Sequence, residues 1–412
     1  MRSVLGIDLG TSGVRIVILN EEGHLLYSAE KLYKTGINYA QDWEECCRNL
    51  ILGIPSEISK TLKFCCIDGT SGTLVACKYD GNPIGQALPY YISCPEQKKL
   101  LLDLVTDQNL ASTVNSSLAR ALRLTEKYGY NLILRHQADW ISGWLLDDWR
   151  FGEAGNNLRL GWNLIEEKWP LDFYKLPWYD SLPKILKSGS ILGKISSQKA
   201  KNLGLPKSLE IIAGTTDSNA AVLSTDATDK EGITVLGSTI VIKCFNSQPI
   251  NYEGITNHFV SGKWICGGSS NAGGAVLKKF FNEEELKELS NQINPYKSSG
   301  LFYRPLPRMG ERFPISDPDL EAILEPRPIS DSLYLHGLLE GLARIEAEGW
   351  ALFAKIGLSI PKQIITIGGG AGNPQWRKIR ERIIGIPINS CDSPPAKGVA
   401  KIALGLLKSK NG

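Results

Sequence analysis

The sequence predicts an α/β protein of two domains, each a mixed five-stranded sheet flanked by helices, and three observations carry that reading. One supersecondary unit, strand–Gly/Ser/Thr tip–strand, stands near the start of each half, at 4–19 (VLGIDLGTSGVRIVIL) and again at 233–243 (ITVLGSTIVIK). The runs around each tip are continuous, β-branched and apolar, the pattern of strands buried on both faces. Other segments place apolar residues at helical spacing, as in Leu335, Leu338, Leu339, Leu342 and Ile345. A length of 412 residues also exceeds what one core usually serves. The domains are expected at 1–224 and 225–397, with residues 398–412 a terminal helix that returns to the first domain.

Taken in order, residues 4–8 and 14–19 read as a hairpin of buried strands around Leu9-Gly10-Thr11-Ser12-Gly13. Residues 65–73 (CCIDGTSGT) read as a second such unit, with a further strand through Leu74–Cys77. The Trp-rich stretch from Trp140 to Trp149 predicts a packed helix. The segment 211–223 (IIAGTTDSNAAVL) reads as a strand, a tight turn and the start of a helix. Asp217 falls at that start, where a carboxylate caps free N–H groups. Residues 333–356 predict a helix with Asp331 as its cap and Gly357 as its stop. Residues 363–370 (QIITIGGG) predict a strand ending in three glycines. Asn373 and Pro374 then open a helix that stops at Gly385, and the last helix runs from about Ala396 to Leu407. Trp376, Ile379 and Ile383 are expected in the core and Arg377–Arg382 on a solvated helix face.

Composition excludes several function classes. Hydrophobic residues are 42% and charged residues 22% of the chain, the average for soluble globular proteins. A formal charge of +3 gives no ground for a nucleic-acid or membrane-surface partner. The nine cysteines show no C-x-x-C spacing and are expected as buried thiols of a reducing cytosol. Four scattered histidines argue against a histidine-based zinc or triad site. No apolar run approaches the roughly 18 residues of a membrane helix, and the expectation is a cytoplasmic protein.

The chemistry concentrates at the tips. Gly10 and Gly13 permit close backbone approach, so that successive N–H groups point at an anion. Thr11 and Ser12 add hydroxyl donors, and Arg15 adds a fixed positive charge. Asp8, at the strand end, suits a hydrated Mg²⁺, which takes one or two carboxylates plus phosphate oxygens. One such tip alone reads as an ordinary glycine hairpin. Its repetition at Gly237-Ser238-Thr239 points to a polyphosphate gripped from two domains. Neither tip is a P-loop or a dinucleotide fingerprint. Asp217, among Thr215, Thr216 and Ser218, is placed either as a plain helix cap or as a base in phosphoryl transfer to an alcohol.

The segments GIDLGTSGVRIVIL, AGTTDSNAA, LGSTIVIK, GERFPISDP and IGGGAGNPQWRKIRERIIGIPI, in this order, resemble the FGGY carbohydrate kinases along essentially the whole chain. The compact length and IDGTSGT resemble most closely the cyanobacterial and plant xylulokinase-like D-ribulokinases. The resemblance implies two actin/hexokinase-like (ribonuclease H-like) domains with an interdomain ATP/sugar cleft. It implies ATP and Mg²⁺ as cofactors, a small sugar as substrate, and a monomer or homodimer. Thr11, Ser12, Arg15, Gly237, Ser238 and Thr239 would line the phosphate loops, and Gly368, Gly369, Gly370 and Asn373 would accept the nucleotide. Asp8 would organise the metal, Asp217 would be the general base, and Ser71, Asp8, Asp217 and Ser218 would contact the sugar. A side chain at Gly369 or Gly370 is expected to clash with the nucleotide. Gly69-Thr70-Ser71-Gly72 replaces the sugar motifs of typical xylulose and glycerol kinases, which points to D-ribulose over D-xylulose. An actin- or chaperone-like ATPase is the rival of another class, sharing the tips and needing no sugar base.

Overall fold

The computed structural model describes residues 2–106 and 109–410. The last two residues expected in the terminal helix lie outside them. Two compact units emerge: Met1–Ser224 with Phe259–Gly262 and Ser393–Gly412, and Thr225–His258 with Lys263–Asp392.

The first unit is built on a six-stranded sheet of β1 (Ser3–Leu9), β2 (Gly13–Asn20), β3 (Leu25–Leu32), β4 (Leu62–Gly69), β5 (Ile191–Lys194) and β6 (Glu210–Thr216). Their spatial order is β3-β2-β1-β4-β6-β5. One strand exceeds the expected five, because the four-residue β5 adds to the free edge of β6, antiparallel to it and outside any long apolar run. β1, β4 and β6 are adjacent and parallel, and all seven residues of β1 are buried. That explains why they read as continuous apolar runs.

The expected second hairpin does not form. β4 already carries β1 on one side and β6 on the other, so no edge is free for the next strand. The strand Leu74–Cys77 instead leaves the sheet and pairs antiparallel with Ile133–His136. The Trp-rich helix is Gln137–Leu146 and stops at Asp147, whose left-handed φ of 53° ends it before Trp149. The terminal helix Pro395–Ser409 lies against β1 and the helix Asp217–Ser224, and glycine makes this possible. A Cβ at Gly6 would stand 2.2 Å from the Ala396 carbonyl oxygen, and one at Gly398 would stand 1.8 Å from that of Ala220. Side chains at either position would push the helix off the sheet.

The second unit repeats the plan with β7 (Glu231–Leu236), β8 (Ile240–Asn246), β9 (Ile255–Val260), β10 (Lys263–Ser269), β11 (Gln363–Ile367) and β12 (Ile388–Ser390). The order is β9-β10-β8-β7-β11-β12, again six strands where five were expected. β7 and β8 form the hairpin around the second tip, and β11 runs parallel to β7. The helix Asp331–Lys355 buries Leu335, Leu338, Leu339, Leu342 and Ile345 in this unit's core. Ser330, not Asp331, caps it by accepting the Leu333 N–H, which places Asp331 at the first helical position. The helix Pro374–Ile384 begins at Asn373, which accepts the Trp376 N–H, and ends at Gly385 with φ of 76°. Its basic run is not uniformly solvated. Arg380 is 1% exposed and donates to both oxygens of Glu346, at 2.5 and 2.7 Å, and to Thr366 Oγ1 at 2.8 Å.

Candidate active site

In an open α/β sheet, ligands bind beyond the carboxyl ends of the parallel strands. In the first unit that edge holds the chemistry. Parallel pairing sets Asp8 level with Asp68, Asp68 level with Thr215, and Gly69 level with Thr216. Gly10-Thr11-Ser12 follows β1, Thr70-Ser71-Gly72 follows β4, and Asp217-Ser218 follows β6. Sheet registration thus brings together Asp8, Ser71, Asp217 and Ser218, four residues that lie more than 200 positions apart at the extremes. The Gly10 N–H closes the first tip on the Gly13 carbonyl at 2.9 Å, and Thr11 and Ser12 are exposed. Arg15 Nη1 stands 3.6 Å from Asp8 Oδ2, while its Nε binds Glu30 at 3.1 Å. Ser71 and Asp217 are half-buried, and the Ser218 N–H donates to Asp217 Oδ1 at 2.7 Å.

Asp68 escaped the sequence reading. It is wholly buried, and neither of its carboxyl oxygens, nor Oδ2 of Asp8, has a hydrogen-bond partner among the described residues when both acids are ionised. Burial, the Asp8 charge and the Asp217 charge all push the Asp68 carboxyl far above its ordinary range. Burial raises Asp8 as well, against a hydrogen bond from Asp68 and the charge of Arg15. The pair therefore holds a proton on Asp68, donated to Asp8. The signal for Asp68 was present: Ile67-Asp68 precedes a Gly/Thr/Ser turn just as Ile7-Asp8 does.

The second unit assembles the remaining glycines. Val235 of β7 is level with Ile367 of β11, so Gly237-Ser238-Thr239 and Gly368-Gly369-Gly370 leave adjacent strands at the same edge. The N–H groups of Gly274 and Ala275 hold the carbonyls of Gly237 and Ser238, at 2.9 and 3.1 Å. Gly368 has φ of 91°, and a Cβ there would stand 2.7 Å from the Leu236 carbonyl. The space beside Gly370 is filled by protein: a Cβ would meet Trp376 Cζ3 at 2.7 Å and Leu236 Cβ at 2.8 Å. Beside Gly369 no heavy atom lies within 4 Å. Asn373 accepts from Trp376 N at 2.9 Å and donates to Ser290 Oγ at 2.8 Å, so its side chain is engaged by the fold. Beyond the glycines a cavity of about 460 Å³ is lined by Ala371, Gly372, Pro374, Arg377, Asn389 and Ser390. Among the described residues no group of three or more His, Cys, Asp or Glu side chains is arranged to hold a metal ion. No helix among them is long and apolar enough to cross a membrane.

No protein-family model matches the chain. It is similar to the xylulose kinase of Lactococcus lactis subsp. lactis (strain IL1403), at 24% identity over 419 residues, covering 93% of this chain and 83% of that protein. Among solved structures, it superposes on a ligand-bound xylulose kinase from Lactobacillus acidophilus with a TM-score of 0.82 at 15% identity, covering 100% of this chain and 90% of that one. Plasmodium falciparum glycerol kinase with ADP gives a TM-score of 0.82 at 16% identity, with the same coverages of 100% and 90%. The fold is the two-domain actin/hexokinase-like fold that these carbohydrate kinases share.

Proposed function

We propose that the chain is an FGGY-type carbohydrate kinase that transfers the γ-phosphoryl group of ATP to a terminal hydroxyl of a ketopentose. The observation that carries this reading is the line of Asp8, Ser71 and Asp217 at three neighbouring parallel strand ends. A metal-dependent ATPase needs the first carboxylate; a carboxylate at the third strand end, next to the hydroxyl-bearing turn of Ser71, suits transfer to an alcohol.

The residues fit Mg²⁺–ATP. Asp8 Oδ2 is a buried oxygen with no hydrogen bond among the described residues, facing Arg15 Nη1 at 3.6 Å beside an exposed hydroxyl-bearing tip, and a divalent ion needs no more than one or two carboxylates when phosphates complete its shell. When bound, Mg²⁺ would neutralise charge on the transferring phosphoryl group. In the first unit Thr11 and Ser12 would donate to phosphate oxygens, and Arg15 adds positive charge beside Asp8; in the second unit Gly237, Ser238 and Thr239 would donate likewise. Gly368 and Gly369 give the nucleotide access to backbone, and the cavity at Ala371–Arg377 suits its base and ribose in size and lining.

Ser71, Ser218 and Asp8 orient the sugar so that its terminal hydroxyl faces Asp217. The Asp217 carboxylate accepts the hydroxyl proton as the sugar oxygen bonds to phosphorus and the bond to ADP breaks. Transfer of this kind depends on positioning and charge neutralisation more than on base strength.

For the sugar, D-xylulose is the leading candidate, because the curated relatives are xylulose kinases over nearly the full chain. D-ribulose, its C3 epimer, is the second reading, favoured by Gly69-Thr70-Ser71-Gly72. Release of ADP measured against D-xylulose, D-ribulose, glycerol, gluconate and an aldohexose tests the proposal. Selective turnover with a ketopentose supports it, and ATP turnover indifferent to every sugar would replace it with the ATPase reading.

A further inference from the structure

One directed chain of hydrogen bonds joins the first glycine tip to the turn that carries Ser71. The Thr70 N–H can only donate, and it faces Gln137 Oε1 at 3.1 Å, which fixes the Gln137 amide with Nε2 toward Tyr33. Gln137 Nε2 then donates to Tyr33 Oη at 3.1 Å, and the Tyr33 hydroxyl donates to the Gly10 carbonyl at 3.1 Å. On the other side, Thr70 Oγ1 stands 2.7 Å from Gln137 Oε1 and must give it its only proton. Thr73 Oγ1, 2.6 Å from Thr70 Oγ1, therefore donates to Thr70, and it accepts the Tyr90 N–H at 3.2 Å. A looser contact of 3.5 Å from Tyr90 Oη to Thr11 Oγ1 brings the chain back to the tip.

From the Gly10 carbonyl to Thr73 every proton in this run has one possible direction, so the two turns cannot move independently without breaking it. Thr70, Thr73 and Gln137 are at most 1% exposed, where hydrogen bonds polarise one another and unpaired groups are costly. Burial also keeps the Tyr33 phenol in its protonated, donating form. Arg120, wholly buried, holds the same assembly from behind: it donates to the carbonyls of Gly72 at 3.0 Å, Pro89 at 3.0 Å and Asn115 at 2.9 Å, and to that of Tyr90.

We propose that Tyr33, Gln137 and Thr73 are positioning residues that couple the sugar turn to the phosphate tip, so that a sugar seated at Ser71 tightens nucleotide binding at Gly10–Ser12, and the reverse by linkage. The inference rests on the kinase reading above.

Calorimetry tests it with two probes, D-xylulose or D-ribulose (whichever the wild-type chain binds more tightly) and the β,γ-imido analogue of ATP with Mg²⁺. Each is titrated with and without saturation by the other. In the wild-type chain the sugar should tighten the analogue about 5-fold or more, the lower range of allosteric coupling. Tyr33→Phe and Thr73→Val should each reduce that factor about 2- to 10-fold, the scale of one hydrogen bond, while Thr73→Ser keeps it. A purely structural role would lower the melting temperature and weaken both ligands with the factor intact, and that result overturns the proposal. So does a wild-type chain that binds both ligands independently. A wild-type chain that binds neither overturns the kinase reading, and this inference with it.

Discussion

Gly369 and Gly370 are neighbours, yet one added methyl group should act oppositely at the two positions. At Gly369 a Cβ meets no heavy atom within 4 Å, and the backbone is outside the left-handed region. Alanine there costs the fold nothing and should add about 0.4–1 kcal/mol of stability by restricting the unfolded chain. At Gly370 the Cβ would stand 2.7 Å from Trp376 Cζ3 and 2.8 Å from Leu236 Cβ. Overpacking of that kind costs about 1–3 kcal/mol, a melting-temperature loss of about 2–4 °C per kcal/mol for a unit of this size. If the empty space at Gly369 is where the nucleotide approaches the backbone, the Cβ of Gly369→Ala blocks that approach and forfeits a charge-assisted hydrogen bond to the backbone worth about 1.5–3 kcal/mol. Nucleotide affinity should then fall about tenfold or more. Thermal melting and titration with Mg–ADP separate the effects: Gly369→Ala melts no lower than the wild type and binds ADP weakly, and Gly370→Ala melts lower. A Gly369→Ala chain with undiminished ADP affinity would refute the placement of the nucleotide beside these glycines.

Asp217→Ala should lose sugar phosphorylation by about 10²-fold or more, the scale of a general base, while titration shows Mg–ADP still bound; phosphorylation within a few-fold of the wild type would return Asp217 to a plain helix start. Asp68 binds its proton more tightly folded than unfolded, so its contribution is fully present below the unfolded value of 3.8 and is lost as pH rises through the raised folded value. Melting temperatures across that window should fall with rising pH in the wild type and fall less in Asp68→Asn; equal slopes would exclude a shared proton. Arg380→Leu strands the buried Glu346 carboxylate and should cost about 3–5 kcal/mol in denaturant, with Arg380→Met/Glu346→Leu recovering most of it; a double variant as unstable as the single one would show that packing, not charge, holds the site.

Much of the architecture was legible because the strands are long and apolar. β1, β2, β7 and β8 announce themselves by continuous runs on either side of glycine-rich tips, and Gly357, Gly385 and Pro374 punctuate the helices where their backbone chemistry requires. Pairing was not legible. Nothing local to Leu74–Cys77 says that both edges of β4 are taken, so the strand's departure to Ile133–His136 follows only from the sheet. Nor does a single basic run distinguish Arg380, buried on Glu346, from its neighbours on the same helix, since the partner lies 34 positions away.

The candidate site divides the same way. Asp8, the two tips and Asp217 could be found because each stands at a strand end next to glycine and hydroxyl residues. Tyr33 and Gln137 could not, because 104 positions separate them and neither lies in a motif. Asp68 sits between the two cases: the Ile-Asp-Gly/Leu-Gly/Thr pattern repeats in the sequence, but its meaning depends on a parallel register that places it beside Asp8.

The proposed service of Asp8, Ser71 and Asp217 in phosphoryl transfer to a ketopentose hydroxyl is tested most directly by ³¹P NMR of the product formed from ATP, Mg²⁺ and D-xylulose, with D-ribulose in parallel. The expected product is a new phosphomonoester on the terminal carbon of a ketopentose, formed in step with ADP and absent with Asp217→Ala. Inorganic phosphate as the sole product, at a rate the sugars do not change, would contradict it.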